Sequence, residues 1–278
     1  MSRRWVLVML LGAALVLPAA LSAYTQAPAG MLDRVQAAGV VNIGTRFQNP
    51  PASFINEAGE WVGFDVDFGD EIARRLGVQL ERIQVDSTTR ITFLEQGKID
   101  MAVASMNHTR RRDDPIDFSV TYFWDGQSLL ALKGRFTQVT DVSGKILAAV
   151  EGSSVIPNIQ AYFAEKGLPP PEIKLFNSEA EALNGVRNGQ ADAFGQDSTL
   201  VVGIVAGDPA FEIFGEPFAN VYYGVGVPEN DSQWRDTINF IIQDIWDDGT
   251  YAAIYDKWFG PDAPFPFPLQ GDMEIWEK

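Results

Sequence analysis

The sequence predicts an α/β protein of two lobes with similar topology. Three observations carry that expectation. Strand-like and helix-like segments alternate along most of the chain, and the order seen before residue 105 recurs after residue 146. One short passage is also matched step for step in the two halves. In the first half it is Leu94-Glu95-Gln96-Gly97-Lys98-Ile99-Asp100-Met101-Ala102, and in the second Val186-Arg187-Asn188-Gly189-Gln190-Ala191-Asp192-Ala193-Phe194. Each has an apolar helix end, a stopping glycine and an aspartate that opens a strand.

The elements follow in order. Residues 24–37 are a leader with Pro28 and Gly30 and a short helix over 31–37. Residues 40–45 are apolar and β-branched, a strand. Residues 49–51, Asn-Pro-Pro, are a loop. Residues 64–76 place Val66, Ile72, Ala73 and Leu76 on a helix with Asp65 and Asp67 at its start and Gly77 at its stop. A strand over 79–85, a short helix over 90–96 and a buried strand over 100–105 complete the first set. The second set has a strand over 146–150, a helix over 155–166 stopped by Gly167, and a strand over 173–176. The capping pattern Ser178-Glu179-Ala180-Glu181 then opens a helix to about residue 188. A strand over 191–194 follows. Helices over 234–246 and 252–259, then an extended Pro-rich stretch over 265–269, form the tail.

Composition excludes several functions. The 278 residues include 18 Phe, 7 Trp and 7 Tyr, ample for a core, and mean hydropathy is near zero, unlike a multi-span membrane protein. A net charge of −16 argues against nucleic-acid partners. With no Cys, thiol nucleophiles, disulfides and Cys-based metal sites are impossible. One His, His108, removes multi-His metal sites and leaves a single imidazole for any triad. No cofactor and no metal are expected.

The first segment reads as a targeting signal. Arg3 and Arg4 precede an apolar run over 5–21 broken by Pro18, with small residues around Ser22-Ala23. Cleavage near Ala23 is expected, with an uncleaved anchor as the alternative. No Cys follows the run, so the protein is not a lipoprotein. It is expected to work outside the cytoplasmic membrane.

In open α/β sheets ligands sit beyond the carboxyl ends of the strands. The first lobe offers Ser105-Met106-Asn107-His108-Thr109 and on to Arg112 there, and the second offers Gly195-Gln196-Asp197. Facing lobes would make these the two walls of one cleft. Arg112 is a planar, bidentate match for a carboxylate, and Asp197 places a carboxylate at the end of the other wall. Asp197 also suits an N-cap of a helix opening at Ser198. Asn107 and Thr109 can add hydrogen bonds. Ser154 begins a helix whose N–H groups and dipole favour a carboxylate.

Three stretches together resemble the extracellular solute-binding proteins of family 3, which deliver polar amino acids to ABC importers. They are Gly63-Phe64-Asp65-Val66-Asp67-Phe68 with Ile72-Ala73 and Leu76; Met106-Asn107-His108-Thr109-Arg110-Arg111-Arg112 with Asp117-Phe118-Ser119 and Tyr122; and Gly249-Thr250-Tyr251 with Ile254 and Lys257-Trp258-Phe259. The match covers roughly residues 38–262.

The resemblance implies the two-lobed type II periplasmic binding protein fold, with two open sheets joined by two hinge strands. The crossings are expected near 126–132 and 218–225. The implied division is signal peptide 1–23, leader 24–37, first lobe 38–128, second lobe 129–219, return to the first lobe 220–262, and tail 263–278. It also implies a periplasmic monomer that binds a free L-amino acid, does no catalysis and partners an ABC permease. It makes Arg112 the α-carboxylate ligand and Asp197 the α-ammonium ligand, with the Ser105 carbonyl beside the ammonium. The family usually has Thr at the position of Asn107. Arg110 and Arg111 are read as surface. Arg46 faces the ligand side chain, and Arg46, Ser87 and Arg90 match an Arg, Ser and Arg of the family's glutamate/aspartate binders. Glutamate or aspartate is therefore the expected ligand, with a broad polar amino-acid binder or a dehydratase on the same fold as alternatives. Two further features are read as structural. His108 points away between the contacts at 107 and 109, and Asp65, Asp67 and Asp70 lack the spacing of a calcium loop.

Overall fold

A computed structural model describes residues 30–276. Helix α1 (Met31–Ala38) leads into β1 (Val40–Thr45). Three short strands, β2 (Gln48–Asn49), β3 (Ser53–Ile55) and β4 (Trp61–Val62), form a small separate antiparallel sheet that the sequence does not announce. Then come α2 (Phe64–Leu76), β5 (Gln79–Gln84), α3 (Arg90–Glu95), β6 (Met101–Ala102) and the long β7 (Ile116–Leu132). The second lobe adds β8 (Ile146–Val150), α4 (Val155–Lys166), β9 (Glu172–Phe176), α5 (Glu179–Arg187), β10 (Ala193–Asp197) and α6 (Ser198–Gly207). The chain returns along β11 (Phe211–Pro228) and ends in α7 (Ser232–Asp247) and α8 (Thr250–Phe259). The expected stretch over 265–269 carries no regular element.

Strand order is β5-β1-β6-β11-β7-β10-β8-β9. Because β7 and β11 run antiparallel through both lobes, the expected two sheets are hydrogen-bonded into one. The lobes keep separate cores. Val221, Tyr223, Val225 and Val227 of β11 pack with Val41, Phe64 and Ile72, whereas Leu129 of β7 and Phe214 of β11 pack with Leu147 and Phe163. The strands thus pass from one core to the other around 125–127 and 219–220. A register shift between Phe214 and Ala219 marks the bend in β11.

The matched passages have a matched physical role. The Asp100 carboxylate accepts the Asn42 N–H at 2.7 Å, and its own N–H donates to the Asn42 carbonyl at 2.8 Å. Asp192 does the same with Ile146, at 2.9 and 2.7 Å. Each aspartate clamps its lobe's first strand where that strand enters the sheet. Before each clamp the helix ends at a left-handed glycine, Gly97 or Gly189.

Two strand expectations are corrected. The strand expected over 100–105 is confined to Met101–Ala102, because Ser105 takes φ 46° and turns the chain into the cleft. The strand expected over 191–194 runs instead over Ala193–Asp197, because Gln196 and Asp197 pair with Ser128 and Gln127 of β7. Asp197 is therefore held by a strand ladder and not by a loop.

Helix α2 shows how the first wall is anchored. Phe64, Phe68 and Ile72 are buried one turn apart, and Asp65 and Asp67 in the first turn oppose Arg74 and Arg75 in the last. Its first N–H groups are capped by backbone: Phe64 donates to Pro51 and Asp65 to Ala52, at 3.1 and 2.8 Å. That approach requires Gly63, which has φ 134° and would place a Cβ 2.3 Å from the Ala52 carbonyl oxygen. Gly63→Ala should cost about 3 kcal/mol through strain and overlap. A lowered urea midpoint at unchanged slope checks it, and an unchanged midpoint contradicts it.

Candidate functional site

The cleft is built around Asp197 at the end of β10. Its carboxylate accepts Gln127 Nε2 at 2.8 Å and Tyr223 Oη at 2.9 Å, with Asn107 Nδ2 at 3.4 Å from both oxygens. Asp197 occupies the N-cap position of α6, yet its side chain makes no capping bond. That task falls to Asp125 of β7, which accepts the Thr199 N–H at 3.3 Å and the Thr199 hydroxyl at 2.6 Å. The capping alternative for the Asp197 carboxylate is thereby answered, and the side chain is turned into the cleft. Burial raises its pKa, opposed by the Gln127, Tyr223 and Asn107 hydrogen bonds and the Arg112 charge.

Arg112 bridges the lobes. Nη1 donates to the Asn107 carbonyl and Nη2 to the Gly152 carbonyl, each at 2.9 Å. Further N–H donors of the guanidinium remain for a carboxylate. Burial lowers its pKa to about 10 although Asp197 pulls the other way. Thr109 shapes the turn that presents it: the Thr109 carbonyl and hydroxyl accept the Arg112 N–H at 2.8 and 3.3 Å. Arg110 and Arg111 are exposed.

Asn107 Nδ2 donates to Ser154 Oγ at 2.6 Å, across the cleft to the N-cap of α4. Its Oδ1 is buried with no partner among the described residues. Ser105 is tied into the first lobe by both its hydroxyl and its carbonyl. Its hydroxyl donates to Asp65 at 2.6 Å and its carbonyl accepts Arg90 Nη1 at 3.3 Å. Arg90 donates more closely to the Ala104 carbonyl, at 2.7 Å, and burial beside Arg112 and Arg46 pushes its pKa well down.

Arg46 lies just past β1 and is 6% exposed. Its Nη2 meets Glu179 Oε1 of the second lobe at 2.5 Å. Arg46, Ser87, Asn49 and Glu179 line a small cavity of about 90 Å³ between the lobes. Gly152, with φ 75°, brings the second lobe against Ser87, where a Cβ would lie 2.8 Å from the Ser87 carbonyl oxygen.

His108 is exposed, stacks on Phe118 at 4.3 Å and pairs with Asp113 at 2.8 Å, outside this constellation. Asp65, Asp67 and Asp70 diverge to separate partners: Ser105 and Tyr122; Lys257 and Trp258; and Arg82.

The family model described as bacterial extracellular solute-binding proteins, family 3, matches residues 41–261. The chain belongs to that family. This solute-binding protein is 35% identical over 210 residues to the ABC transporter glutamine-binding protein GlnH of Bacillus subtilis (strain 168), covering 74% of this chain and 75% of the relative. It is 26% identical to the glutamate-binding protein GluB of Corynebacterium glutamicum, covering 81% and 80%. An ancestral arginine-binding protein bound to arginine superimposes with a TM-score of 0.74 at 33% identity, over 80% of this chain and 99% of the other. The same description bound to glutamine gives the same score and identity. These neighbours share the two-lobed amino-acid-binding architecture. Solute-binding proteins of this family bind free amino acids and work with ABC transporter permeases. Among the described residues no helix is long and apolar enough to cross a membrane, and the signal segment expected over 1–23 lies outside them.

Sequence reasoning missed four residues of this solute-binding protein's cleft: Asp125, Gln127, Glu179 and Tyr223. A signal existed for two. Asp125-Gly126-Gln127-Ser128 is a polar run between Tyr122-Phe123-Trp124 and Leu129–Leu132, and a buried strand holds polar side chains only where they find partners. Glu179 was hidden within a capping pattern. Ser178 does cap α5, accepting the Glu181 N–H, while Glu179 reaches across to the other lobe.

Proposed function

We propose that the chain is the extracytoplasmic receptor of an ABC importer and captures one free polar L-amino acid between its lobes without chemical change. The observation that carries this reading is the zwitterion-matched pair. Arg112, wedged between carbonyls of both lobes, offers N–H donors to the α-carboxylate beside the N-terminus of α4. Asp197, freed from capping, offers an anion to the α-ammonium. In this reading residues 38–128 and 220–262 form one wall, residues 129–219 the other, and β7 and β11 are the hinge. Closure is a population shift toward the state in which both walls touch the ligand. The chain acts as a periplasmic monomer after loss of the segment before residue 24.

An acidic ligand side chain is what Arg46 and Arg90 would need if each lacked a partner in the protein. Arg46 has Glu179, and Arg90 has two carbonyls. We therefore favour an uncharged polar side chain, with L-glutamine first; the ligands named for GlnH and for one ancestral neighbour support this. Glutamate or aspartate is the second reading, favoured by one observation. Arg90 Nε is buried without a hydrogen-bond partner among the described residues.

Mass spectrometry of the small molecule released on denaturing the purified protein, followed by calorimetric titration, tests both. The expected result is glutamine, bound at least about tenfold tighter than glutamate, a gap of roughly 1.4 kcal/mol. The reverse order establishes the acidic reading, and no binding of any amino acid overturns the receptor.

A further inference from the structure

We propose that Glu179 sets which ligand side-chain charge the cleft accepts, by neutralising Arg46 from the opposite lobe. This rests on the reading of the cleft as an amino-acid site.

Arg46 belongs to the first lobe and Glu179, the first residue of α5, to the second. Their side chains keep only 8% and 11% of their surface exposed. Gln196 Nε2 donates to the same Glu179 oxygen at 3.1 Å, so the carboxylate is held from two sides. The pair lines the small cavity together with Asn49 and Ser87. Asn49 Nδ2 is buried there with no partner among the described residues.

The charge count follows directly. The cavity is lined by one guanidinium, by the carboxylates of Glu179 and of Asp86, the latter accepting the Thr88 and Thr89 N–H groups, and by the unsatisfied Asn49 amide donor. A ligand carboxylate arriving there would have to displace Glu179 from Arg46 or lie beside it, and two carboxylates in one dry site repel strongly. A ligand amide meets no such conflict, since its oxygen can accept from Asn49 while its NH2 faces a carboxylate. Removing the negative charge of Glu179 leaves Arg46 as a buried cation without its counter-charge, which an acidic ligand would then supply. The filter therefore discriminates by repulsion as well as by fit.

The experiment is a titration of wild type, Glu179→Gln and Glu179→Asp with L-glutamine and L-glutamate. The readout is the ratio of the two dissociation constants, which a merely structural loss would leave alone because both affinities would fall together. For Glu179→Gln the ratio should move at least about tenfold toward glutamate. Glu179→Asp keeps the charge and should stay near the wild-type ratio. A third protein, Arg46→Gln/Glu179→Gln, removes both charges and should return most of the way to the wild-type preference. If Glu179→Gln binds amino acids with an unmoved ratio, the inference is overturned while the receptor stands. If the wild type binds no amino acid, the reading of the cleft fails and takes this inference with it.

Discussion

Replacing Arg112 with Ala should weaken L-glutamine binding by roughly two to four decades. Losing one member of a buried charge pair costs about 3–5 kcal/mol, and each decade is about 1.4 kcal/mol. Here the loss is twofold. The ligand carboxylate loses its cation, and the tie from the Asn107 carbonyl to the Gly152 carbonyl, which joins the lobes, disappears. Arg112→Lys keeps the charge but not the planar fork, so it should be impaired less than the Ala variant and well below wild type. Calorimetry on variants with native circular dichroism checks this. An unchanged dissociation constant for Arg112→Ala removes Arg112 from the site.

The second large effect concerns Asp197 and its neighbour. Asp197→Asn should weaken binding by about two decades or more, because the ligand ammonium loses its counter-charge in a desolvated site. The ligand-free protein should respond in the opposite sense. Tyr223 Oη lies 2.9 Å from Oδ2 of both Asp125 and Asp197. One hydroxyl has one proton to give, so both contacts are hydrogen bonds only when a carboxyl brings a proton of its own. Burial, and then the charge of Asp197, push the Asp125 carboxyl up to about 7. The folded state thus keeps a proton that the unfolded chain has released above its ordinary range near 3.8. Stability of the ligand-free protein should therefore fall as pH rises from about 4 to about 7 and level off above. Asp197→Asn removes the neighbouring charge, lowers the Asp125 pKa and should shrink that fall. Melting temperatures of the ligand-free proteins between pH 5 and pH 8 measure it. Parallel pH profiles together with normal binding would falsify the pairing and the ligand role of Asp197.

How much of this was legible depended on whether the signal was local. The placement of Asp100 and Asp192 at the opening of a strand could be read because each follows the same helix end and glycine, a pattern contained within nine residues, whereas the clamp that each forms could not. The position of Arg112, Thr109 and Ser154 at the cleft was legible because they sit in or beside turns whose chemistry is visible in a few neighbours. Register was not. The extension of β10 through Asp197 depends on pairing with Gln127, 70 residues away, and no property of Gly195-Gln196-Asp197 states it. The Arg46–Glu179 contact spans 133 residues and two lobes, so nothing in the sequence around Arg46 announces its partner. The sheet of β2, β3 and β4 escaped for a different reason. Its strands are two or three residues long, too short for an alternating pattern to show.

The route of β7 and β11 has a consequence for the order of assembly. Residues 129–219 are one uninterrupted stretch with cores of their own. The other lobe joins Met31 and Val35 to Trp234, Ile238 and Met273, and the Met31 N–H donates to the Asp231 carboxylate across 200 residues of chain. Closing so long a loop is entropically costly and is repaid only when both ends are present. A chain that appears from its N-terminus exposes the complete second lobe while the first still lacks α7, α8 and the part of β11 beyond residue 220, which lies between β6 and β7. The wall that carries Arg46 and Arg112 is begun first and finished last, and until α7 arrives its apolar strands have no cover from that side.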